Sequence, residues 1–402
     1  MARYVCAFRG RRDSYQVPVA LAESSKLDQF ITDAYATPLI RFVLKGADSA
    51  VRNKLAVRSD PGIPENSVRC LWTTTLREHL RHKIGFAPSL TYSKSDREFS
   101  IAAAKRAAAT RSNLFLYSSY ALEAFTSHYH HTPHRVLFQY HPHSAFEKSI
   151  LSTDNVRYPE IGESYWGNNE TRLSGRADYR EQECWKHADL IFCASTFTRN
   201  SLIEAGANER RCLVVPYGTE GTEVEELQPT ESFKVLFVGS GGQRKGLHHL
   251  LLAWQRASLP PASQLTLICR VLDHGIERLA AKIPRIVIQR GVSARELRKA
   301  FASSTLFAMP SLVEGFGQVY LEALAHGCPV LGTPNTCLPD LGAERDGIYL
   351  ASPGDVDELT AKIESLAKVL PGNDSIRTAS RICASRFTWK RFRAAVCDNL
   401  LD

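Results

Sequence analysis

The chain has 402 residues, of which 44% are apolar and 23% charged, and this composition is typical of a globular protein large enough for two domains. No run approaches the roughly 18 consecutive apolar residues of a transmembrane helix. The first apolar stretch is also too short for a signal peptide. These features argue against a membrane-spanning or secreted protein, and we expect the chain to be cytoplasmic.

Positive charge is concentrated at the N-terminal end, although the formal net charge of the whole chain is +8. Residues 1–111 contain 19 Lys and Arg against 10 Asp and Glu, whereas the remainder contains 31 against 32. A local excess of this kind favours an anionic partner such as a membrane surface, a nucleic acid or a phosphorylated substrate. A solvated basic face explains it equally well, so both interpretations stay open.

Short apolar runs of strand length alternate with helical patterns along the chain. In order they read YVCAF, NLFLYSSY, HRVLFQYH, DLIFCAS, CLVVPYG, KVLFVGS, QLTLICR, RIVIQRG, TLFAMPS and CPVLGT. Such a pattern predicts an α/β chain with parallel sheets covered on both faces. The acidic segment between Tyr217 and Lys234 reads as a linker, so we predict two doubly wound domains at 1–217 and 218–386, followed by an apolar helix within 387–402.

Cysteine and aspartate spacing gives no sign of a metal or cofactor. The ten cysteines form no C-x-x-C pair and lie mostly beside apolar residues, so we interpret them as reduced core thiols. The one D-x-D, Asp355 and Asp357, fits a helix N-cap at Asp355 with Glu358 at the third position. We therefore predict no metal site.

The segment SVRCLWTTTLREHLRHKIG, residues 67–85, has apolar residues at helical spacing and several basic residues elsewhere around the helix. A basic amphipathic helix is suited to lying on an anionic membrane. An ordinary surface helix packed through its apolar stripe is the alternative.

A glycine-rich turn follows the apolar strand that ends near residue 238. Gly239, Gly241 and Gly242 precede Arg244 and Lys245, and an apolar-periodic helix comes next. Backbone N–H groups at a helix start, together with two fixed cations, make a site suited to a phosphate or diphosphate. The order of residues matches neither a Walker A loop nor a dinucleotide fingerprint. An ordinary tight turn with two surface cations is the alternative.

Two glutamates, Glu314 and Glu322, flank a second glycine-rich turn in EGFGQVYLE. If the helix starts near Gly317, Glu314 lies in the loop after a strand and Glu322 lies in the second turn of the helix. A retaining glycosidase needs carboxyl groups about 5 Å apart, and this spacing gives no reason to expect such a pair. Two hydroxyl-rich parts of one extended ligand fit better; helix capping is the alternative for Glu322.

These stretches carry a family resemblance. PSLVEGFGQVYLEALAHGCPVLGT resembles the signature of the family 4 retaining glycosyltransferases of GT-B fold, the glycosyl transferases group 1, with Glu314 and Glu322 as the E-x7-E element. ADLIFCASTFTRNSLIEAGANERRCLVVPYGTE, FVGSGGQRKGLHHLLLAW, GVSARELRKAFASSTLFAMPS and FTWKRFRAAV match in the same order. The resemblance implies two Rossmann-like domains, an N-terminal domain for the acceptor and a C-terminal one for the donor, with the last helix crossing back to the first.

The resemblance also implies roles for individual residues. Arg244 and Lys245 bind the diphosphate of a nucleotide sugar, and Glu322 accepts from the ribose hydroxyls. Glu314 lies by the transferred sugar. The implied donor site is Gly239, Arg244, Lys245, Gly291, Val292, Glu314, Gly315, Phe316, Gly317 and Glu322, with Gly291 and Val292 beside the base and the backbone of Phe316 and Gly317 near the sugar or phosphate. Many members carry Arg at position 240, where this chain has Ser, and we infer that Arg244 supplies the second cation.

In the N-terminal half, the resemblance implies that His141, at a strand end, lies near the sugar and acceptor and belongs with Glu314, Arg244 and Lys245 in the catalytic set. A satisfied histidine at a strand end is the alternative. The first loop, FRGRRDSYQ, corresponds to a glycine-rich family loop near the donor phosphates and acceptor. Here it contains Gly10, Arg11 and Arg12, which suit an anionic acceptor or are simply exposed.

The expected function is therefore transfer of a sugar, with retention, from a UDP- or GDP-sugar to a glycan or lipid-linked acceptor, in polysaccharide or glycolipid synthesis. No cofactor and no nucleic-acid partner are implied. Contact with an anionic membrane would place the protein on the inner face of the cytoplasmic membrane. A non-catalytic nucleotide-sugar-binding protein, or another enzyme on the same fold such as an epimerase, stays open.

Overall fold

In the computed structural model of the protein, which describes residues 2–37, 40, 57–85, 88–161, 175–220 and 231–402, two all-parallel β-sheets organise the chain. The first has the order β3-β2-β1-β4-β5-β6-β7 and the second β10-β9-β8-β11-β12-β13. The strands are β1 (Tyr4–Ala7), β2 (Leu27–Thr32), β3 (Val68–Cys70), β4 (Asn113–Tyr117), β5 (Arg135–Gln139), β6 (Leu190–Cys193), β7 (Cys212–Val214), β8 (Lys234–Val238), β9 (Gln264–Ile268), β10 (Ile286–Gln289), β11 (Leu306–Ala308), β12 (Val330–Gly332) and β13 (Ile348–Leu350).

Each of the ten apolar runs contains a strand, so this part of the prediction is confirmed. Three strands were not predicted, β2, β3 and β13. Asp28 and Gln29 interrupt the apolar pattern of β2, although five of its six residues are buried. The predicted helix over 67–85 is wrong at its start, because Val68 pairs with Phe30 of β2 and the helix begins only at Trp72.

Helices cover the faces of both sheets. They are α1 (Gln16–Glu23), α2 (Trp72–Lys83), α3 (Pro88–Thr110), α4 (Leu122–Phe125), α5 (Ser144–Arg157), α6 (Gly175–Cys184), α7 (Thr196–Glu204), α8 (Leu247–Arg256), α9 (His274–Ala280), α10 (Ala294–Ser303), α11 (Gln318–Ala325), α12 (Leu338–Leu341), α13 (Val356–Val369), α14 (Asp374–Ser385) and α15 (Trp389–Asp398). Within the described ranges, none of them combines the length and apolarity needed to cross a membrane.

Local sequence signals correctly identify several helix ends. Ser293 caps α10 in a capping box with Glu296, and Asp355 accepts from the N–H of Glu358 at the start of α13. The ten cysteines are all free, eight of them buried, which confirms their interpretation as core thiols. The predicted linker lies mostly outside the described residues, which stop at 220 and resume at 231.

Strand order reverses once in each sheet, between β1 and β4 and between β8 and β11. Ligands of doubly wound sheets bind at such switch points, outside the carboxyl ends of the strands, because the loops there diverge and open a crevice. The loops after β8 and β11 carry the glycine-rich turn and Glu314. The fold therefore brings these two motifs, about 70 residues apart in sequence, to one crevice.

The last helix returns to the first sheet. Arg393 of α15 donates to Glu23 (2.8 Å) and Gln16 (2.6 Å), both on α1, and Lys26 donates to the carbonyl of Leu401 (2.8 Å). The aromatic rings of Trp389 and Phe392 also pack on Tyr217, which precedes the linker. The C-terminal segment thus packs back on the first domain through buried aromatic rings and through exposed or partly buried polar contacts.

The two sheets meet closely at Gly315. A Cβ atom at this position would lie 1.8 Å from the carbonyl oxygen of Tyr140, which follows β5 in the first domain. The hydroxyls of Ser195 and Thr198 donate to the carbonyl of Gly315, at 2.5 and 3.0 Å. Glycine is required here by the approach of two backbones rather than by its own dihedral angles.

We predict that Gly315→Ala destabilises the protein by at least about 2 kcal/mol, because both clashing groups are backbone and overpacking of this kind costs roughly 1–3 kcal/mol or more. Equilibrium unfolding in urea measures the change. Gly372→Ala is the matched control: its φ of +72° strains alanine, but its Cβ meets nothing within 4 Å, so about 1 kcal/mol is expected. Equal losses in the two variants would contradict a close interdomain approach.

Candidate active site

One buried carboxylate joins the two cations of the glycine-rich turn. Oε1 of Glu314 accepts from Nη1 of Arg244 at 2.9 Å, and Oε2 accepts from Nζ of Lys245 at 2.9 Å. Glu314 is only 7% exposed, and Arg244 Nη1 also lies 3.4 Å from the carbonyl of Val313. Three of the four predicted catalytic residues therefore form one cluster, with a net charge of +1.

Glycines of the turn shape this cluster. A Cβ at Gly239 would lie 3.1 Å from Cδ and 3.2 Å from Cε of Lys245, so the lysine stem runs across the space that a side chain would take. Gly246 has φ +62°, and a Cβ there would lie 1.9 Å from the carbonyl oxygen of Pro310. These two glycines let the turn approach the β11 loop and direct the ammonium group of Lys245 to Glu314.

The charges around Glu314 decide its ionisation. Burial alone would raise the pKa of this carboxyl, but the positive charges of Arg244 and Lys245 and their hydrogen bonds outweigh burial and lower the pKa to about 2. Glu314 is therefore an ionised hydrogen-bond acceptor at neutral pH. It has no proton to give to a leaving group.

Glu322 has a different environment. Helix α11 begins at Gln318 after Gly317, whose φ is +82°. Glu322 therefore lies in the second turn of the helix, as predicted for a helix that starts near Gly317. Burial raises the pKa of Glu322, with no cation opposing it. Among the described residues its carboxylate has no hydrogen-bond or ion-pair partner, and the two glutamates do not share one environment.

The N-terminal domain brings His141 to the same crevice. Its ring contacts that of Tyr140 at 4.4 Å between centroids, and the Cβ position of Gly315 lies 3.0 Å from its Cα. His141 is thus next to the residue that follows Glu314. Phe316 is buried, and its ring packs edge-on against Tyr217 at 5.2 Å.

The first loop is strained as well as basic. Gly10 has φ +83° and donates its N–H to Asp33 at 2.9 Å, and Arg11 is exposed. Arg12 is half-buried with its guanidinium 4.0 Å from the ring centroid of Tyr140. Asp13 then begins three consecutive residues with positive φ, a costly conformation for non-glycine residues, and it accepts from Tyr217 at 3.0 Å.

A cavity of about 150 Å³ opens beside this loop. Its polar lining includes Arg9, Arg12, Asp96, Tyr120, Tyr140 and Glu181. Burial raises the pKa of Asp96 to about 6, although Arg9 and other cations oppose the shift. Tyr140 and Asp96 were not predicted as site residues, because an aromatic residue after β5 and an acidic residue of α3 show no shared pattern along the chain.

Gly291 and Val292, predicted to lie beside the base, line a separate groove of about 640 Å³. Gly291 is exposed with φ +68°, after β10 and before the capping box of α10. None of the described residues that line this groove belongs to the cluster of Arg244, Lys245 and Glu314. The structure thus does not join the predicted base contact and the cluster in one cavity.

Comparisons with known proteins agree with this architecture. The family model for glycosyl transferases group 1 matches residues 232–368, which contain the second sheet. The MMP alpha-(1->4)-mannosyltransferase of Mycolicibacterium hassiacum is 27% identical over 52% of this chain and 53% of its own length. The O-antigen chain mannosyltransferase B of Escherichia coli is 25% identical over 68% of this chain and 74% of its own length. The chain thus spans about half the length of the first of these relatives.

Solved structures extend the likeness to the whole chain. HepE of Anabaena in complex with UDP and glucose superimposes with a TM-score of 0.57 at 15% identity, covering 99% of each chain. Sucrose-phosphate synthase of Thermosynechococcus elongatus superimposes with a TM-score of 0.66 at 14% identity, and the superposition covers 99% of this chain and 98% of the synthase. The fold is therefore GT-B, as predicted. The resemblance read from the motifs is confirmed, because residues 232–368 match the family model for glycosyl transferases group 1.

We predict that Glu314→Gln removes a large, acid-sensitive part of the stability. A carboxyl whose folded pKa is depressed stabilises the fold above its unfolded pKa, and that stability is lost as pH falls through the folded value. For Glu314 the window runs from about pH 4.5 down to about pH 2, and the contribution at pH 7 is on the order of 3 kcal/mol. Urea unfolding of wild type and variant at pH 7, 4 and 3 measures it.

The difference in free energy of unfolding between the wild type and Glu314→Gln should shrink as the pH is lowered. Glu322→Gln is the matched control, because a carboxyl whose pKa is raised by burial destabilises the fold when ionised. Its replacement should leave stability at pH 7 unchanged or slightly higher. A pH-independent difference for Glu314→Gln would contradict the depressed pKa.

Proposed function

We propose that the protein is a retaining hexosyltransferase that moves a sugar from a nucleoside diphosphate donor to an acceptor hydroxyl. The observation that supports this most directly is the pair of cations, Arg244 and Lys245, fixed by Glu314 at the switch point of the second sheet. A rigid cationic site at the start of α8 suits a diphosphate.

The charges of the cluster suggest how the leaving group departs. When the bond between sugar and phosphate breaks, negative charge grows on the diphosphate, and positioned cations stabilise it without a proton transfer. Glu314 remains ionised at a pKa of about 2, so it does not act as general acid. Arg244 and Lys245 carry this role in the proposal.

Retention is proposed on the same grounds. Both oxygens of Glu314 already accept hydrogen bonds from cations, which makes this carboxylate a poor covalent nucleophile. A front-side substitution, in which the acceptor attacks on the face that the diphosphate leaves, needs no enzyme nucleophile. Glu314 then orients the cations and, through its position beside His141 and Gly315, lies by the transferred sugar.

Other donor contacts follow the resemblance. Glu322, in the second turn of α11, is proposed to accept from the ribose hydroxyls, and Gly291 and Val292 are proposed to lie beside the base. A half-buried carboxylate that has no donor among the described residues suits hydroxyl groups, which would supply hydrogen bonds to it.

Relatives guide the choice of donor. One relative, from Mycobacterium tuberculosis, is a GDP-mannose-dependent alpha-mannosyltransferase, 27% identical over 53% of this chain. We therefore propose GDP-mannose as the first donor to test. A UDP-hexose, which the family resemblance also implies, is the alternative donor.

Donor turnover tests the proposal. Incubation with UDP-, GDP- and ADP-hexoses should reveal slow hydrolysis of one donor by water. Lys245→Met should reduce this rate by roughly 10²–10³-fold, as expected for loss of one group that stabilises transition-state charge. Lys362→Met is the matched control, because Lys362 forms a surface ion pair with Glu344 in the same domain.

If no donor is hydrolysed, the transferase proposal is overturned. Tight binding of a donor without turnover would instead favour a non-catalytic nucleotide-sugar-binding protein. Equal loss of rate in both lysine variants would contradict the assigned cation site.

The acceptor side is proposed to be the cavity beside the first loop, with contact to a membrane through α2. The polar face of this helix lies against the protein. Glu78 pairs with Arg9 of the cavity at 2.9 Å, and the hydroxyl of Thr75 donates to the carbonyl of Asp33 at 3.1 Å. Thr74 also donates to Glu98 on α3.

The apolar face of α2 points the other way. Trp72, Leu76, Leu80 and, just beyond the helix, Ile84 recur every fourth residue and are 46–72% exposed. The ordinary packing of this stripe, kept as an alternative above, is therefore wrong for these residues, although Val68 and Leu71 before the helix do pack on the core. An exposed apolar stripe on a basic helix suits the boundary of an anionic lipid surface.

We predict that the protein co-sediments with phosphatidylglycerol vesicles more than with phosphatidylcholine vesicles, and less at high salt. Replacing both Leu76 and Leu80 with Glu should weaken binding at least about 10-fold, because inserted leucines contribute on the order of 1 kcal/mol or more each. A double replacement of Val369 and Ile382, which are equally exposed in the other domain, is the control. Equal loss in both double variants would rule out a specific role for α2.

A further inference from the structure

A buried cluster of one carboxylate and two imidazoles joins the two domains away from the proposed donor contacts. Asp154 comes from α5 of the first domain, and His248 and His249 open α8 of the second. Nε2 of His248 lies 3.1 Å from Oδ2 of Asp154, and Nε2 of His249 lies 2.9 Å from Oδ1. The three side chains are at most 5% exposed.

The distances between the possible ligand atoms of these three residues match a metal site. Zinc bonds of about 2.0–2.1 Å in tetrahedral geometry place the ligand atoms roughly 3.3 Å from one another. The nitrogen-to-oxygen distances in the cluster, 2.9, 3.1 and 3.4 Å, fall around that value. The ligand atoms of all three residues lie within 4.8 Å of one another.

Hydrogen bonds alone leave the cluster unsatisfied. Although His249 Nε2 is close to Asp154, it makes no hydrogen bond of acceptable geometry with any described residue. Gln243 donates to Asp154 at 2.7 Å, but its own Oε1 is buried without a partner within the described chain. A cation bound by the Nε2 atoms of both rings and an oxygen of Asp154 would supply the partner that Nε2 of His249 lacks.

We propose that Asp154, His248 and His249 bind a divalent transition-metal ion, Zn²⁺ foremost, that clamps the two domains together. Two imidazoles and a carboxylate are a ligand set that Zn²⁺ accepts. A metal at this site would be separate from one that binds the diphosphate of the donor, because the ring of Tyr158 packs on both imidazole rings. Its centroid lies 5.1 Å from that of His248 and 5.2 Å from that of His249. The earlier expectation of no metal rested on spacing along the sequence, which cannot join α5 to α8.

The proposed metal would act on the donor site indirectly. Gln243, which bonds Asp154, directly precedes Arg244 and Lys245 in the same turn. A metal on His248 and His249 would therefore fix the turn that presents the cations. The Nδ1 atoms of both rings have no partner in the described chain, and because such outer partners usually strengthen binding 10–100-fold, we expect a moderate rather than a very tight site.

Cobalt titration tests the proposal without reference to sugar transfer. The full chain, freed of metal with a chelator, should bind one equivalent of Co²⁺ with visible absorption bands of a low-coordinate site, and Zn²⁺ should displace it. No thiolate-to-cobalt bands should appear, because none of the ten cysteines belongs to the cluster. Zn²⁺ should also raise the melting temperature of the wild-type chain.

Two variants and a control complete the experiment. His249→Gln and Asp154→Asn should each weaken Co²⁺ binding on the order of 100-fold, since loss of a direct ligand exceeds the loss of an outer partner. His326→Gln, which replaces another buried histidine of the same domain, should leave the spectrum unchanged. Absence of the bands in the wild-type chain, or their persistence in His249→Gln, would overturn the proposal and leave the cluster as a hydrogen-bonded contact.

Discussion

The attraction between Glu314 and the two cations Arg244 and Lys245 is the interaction on which the proposed site depends. Two positive side chains would repel each other if they were buried side by side without a counter-charge. The shared carboxylate provides this counter-charge to both side chains, each at 2.9 Å. The same cluster remains positive by one charge, so it retains attraction for an anion while being pre-organised before a ligand arrives.

The close approach of the domains at Gly315 places this cluster opposite the N-terminal residues. Because no Cβ intervenes, the backbone of Tyr140 and His141 reaches the loop that holds Glu314. Tyr140 also lies against Arg12 on its other side. One tyrosine therefore links the strained first loop, the interdomain contact and the cavity proposed for the acceptor, and movement of the domains would alter all three together.

Polar and apolar surfaces are distributed unusually on α2. In a surface helix the apolar stripe normally faces the core, but here Glu78 and Thr75 face the protein while Leu76 and Leu80 face solvent. Burial of these polar groups is tolerated because Glu78, Thr75 and Thr74 each have a hydrogen-bond partner. The exposed face is free to meet another apolar surface, and the basic charge of the first 111 residues favours an anionic one.

The sequence by itself determined the class of fold, the ten apolar strands, the helix caps and the residues of the Arg244, Lys245 and Glu314 cluster, because periodicity, turns and short motifs are local. It did not predict β2, because Asp28 and Gln29 interrupt the apolar pattern of this largely buried strand. It also did not predict that α2 begins only at Trp72. Tertiary structure alone decided that Glu314 bonds both cations, that Gly315 meets Tyr140, and that α5 meets α8. Those contacts join segments about 70 to 175 residues apart, and no local pattern encodes a distance between them.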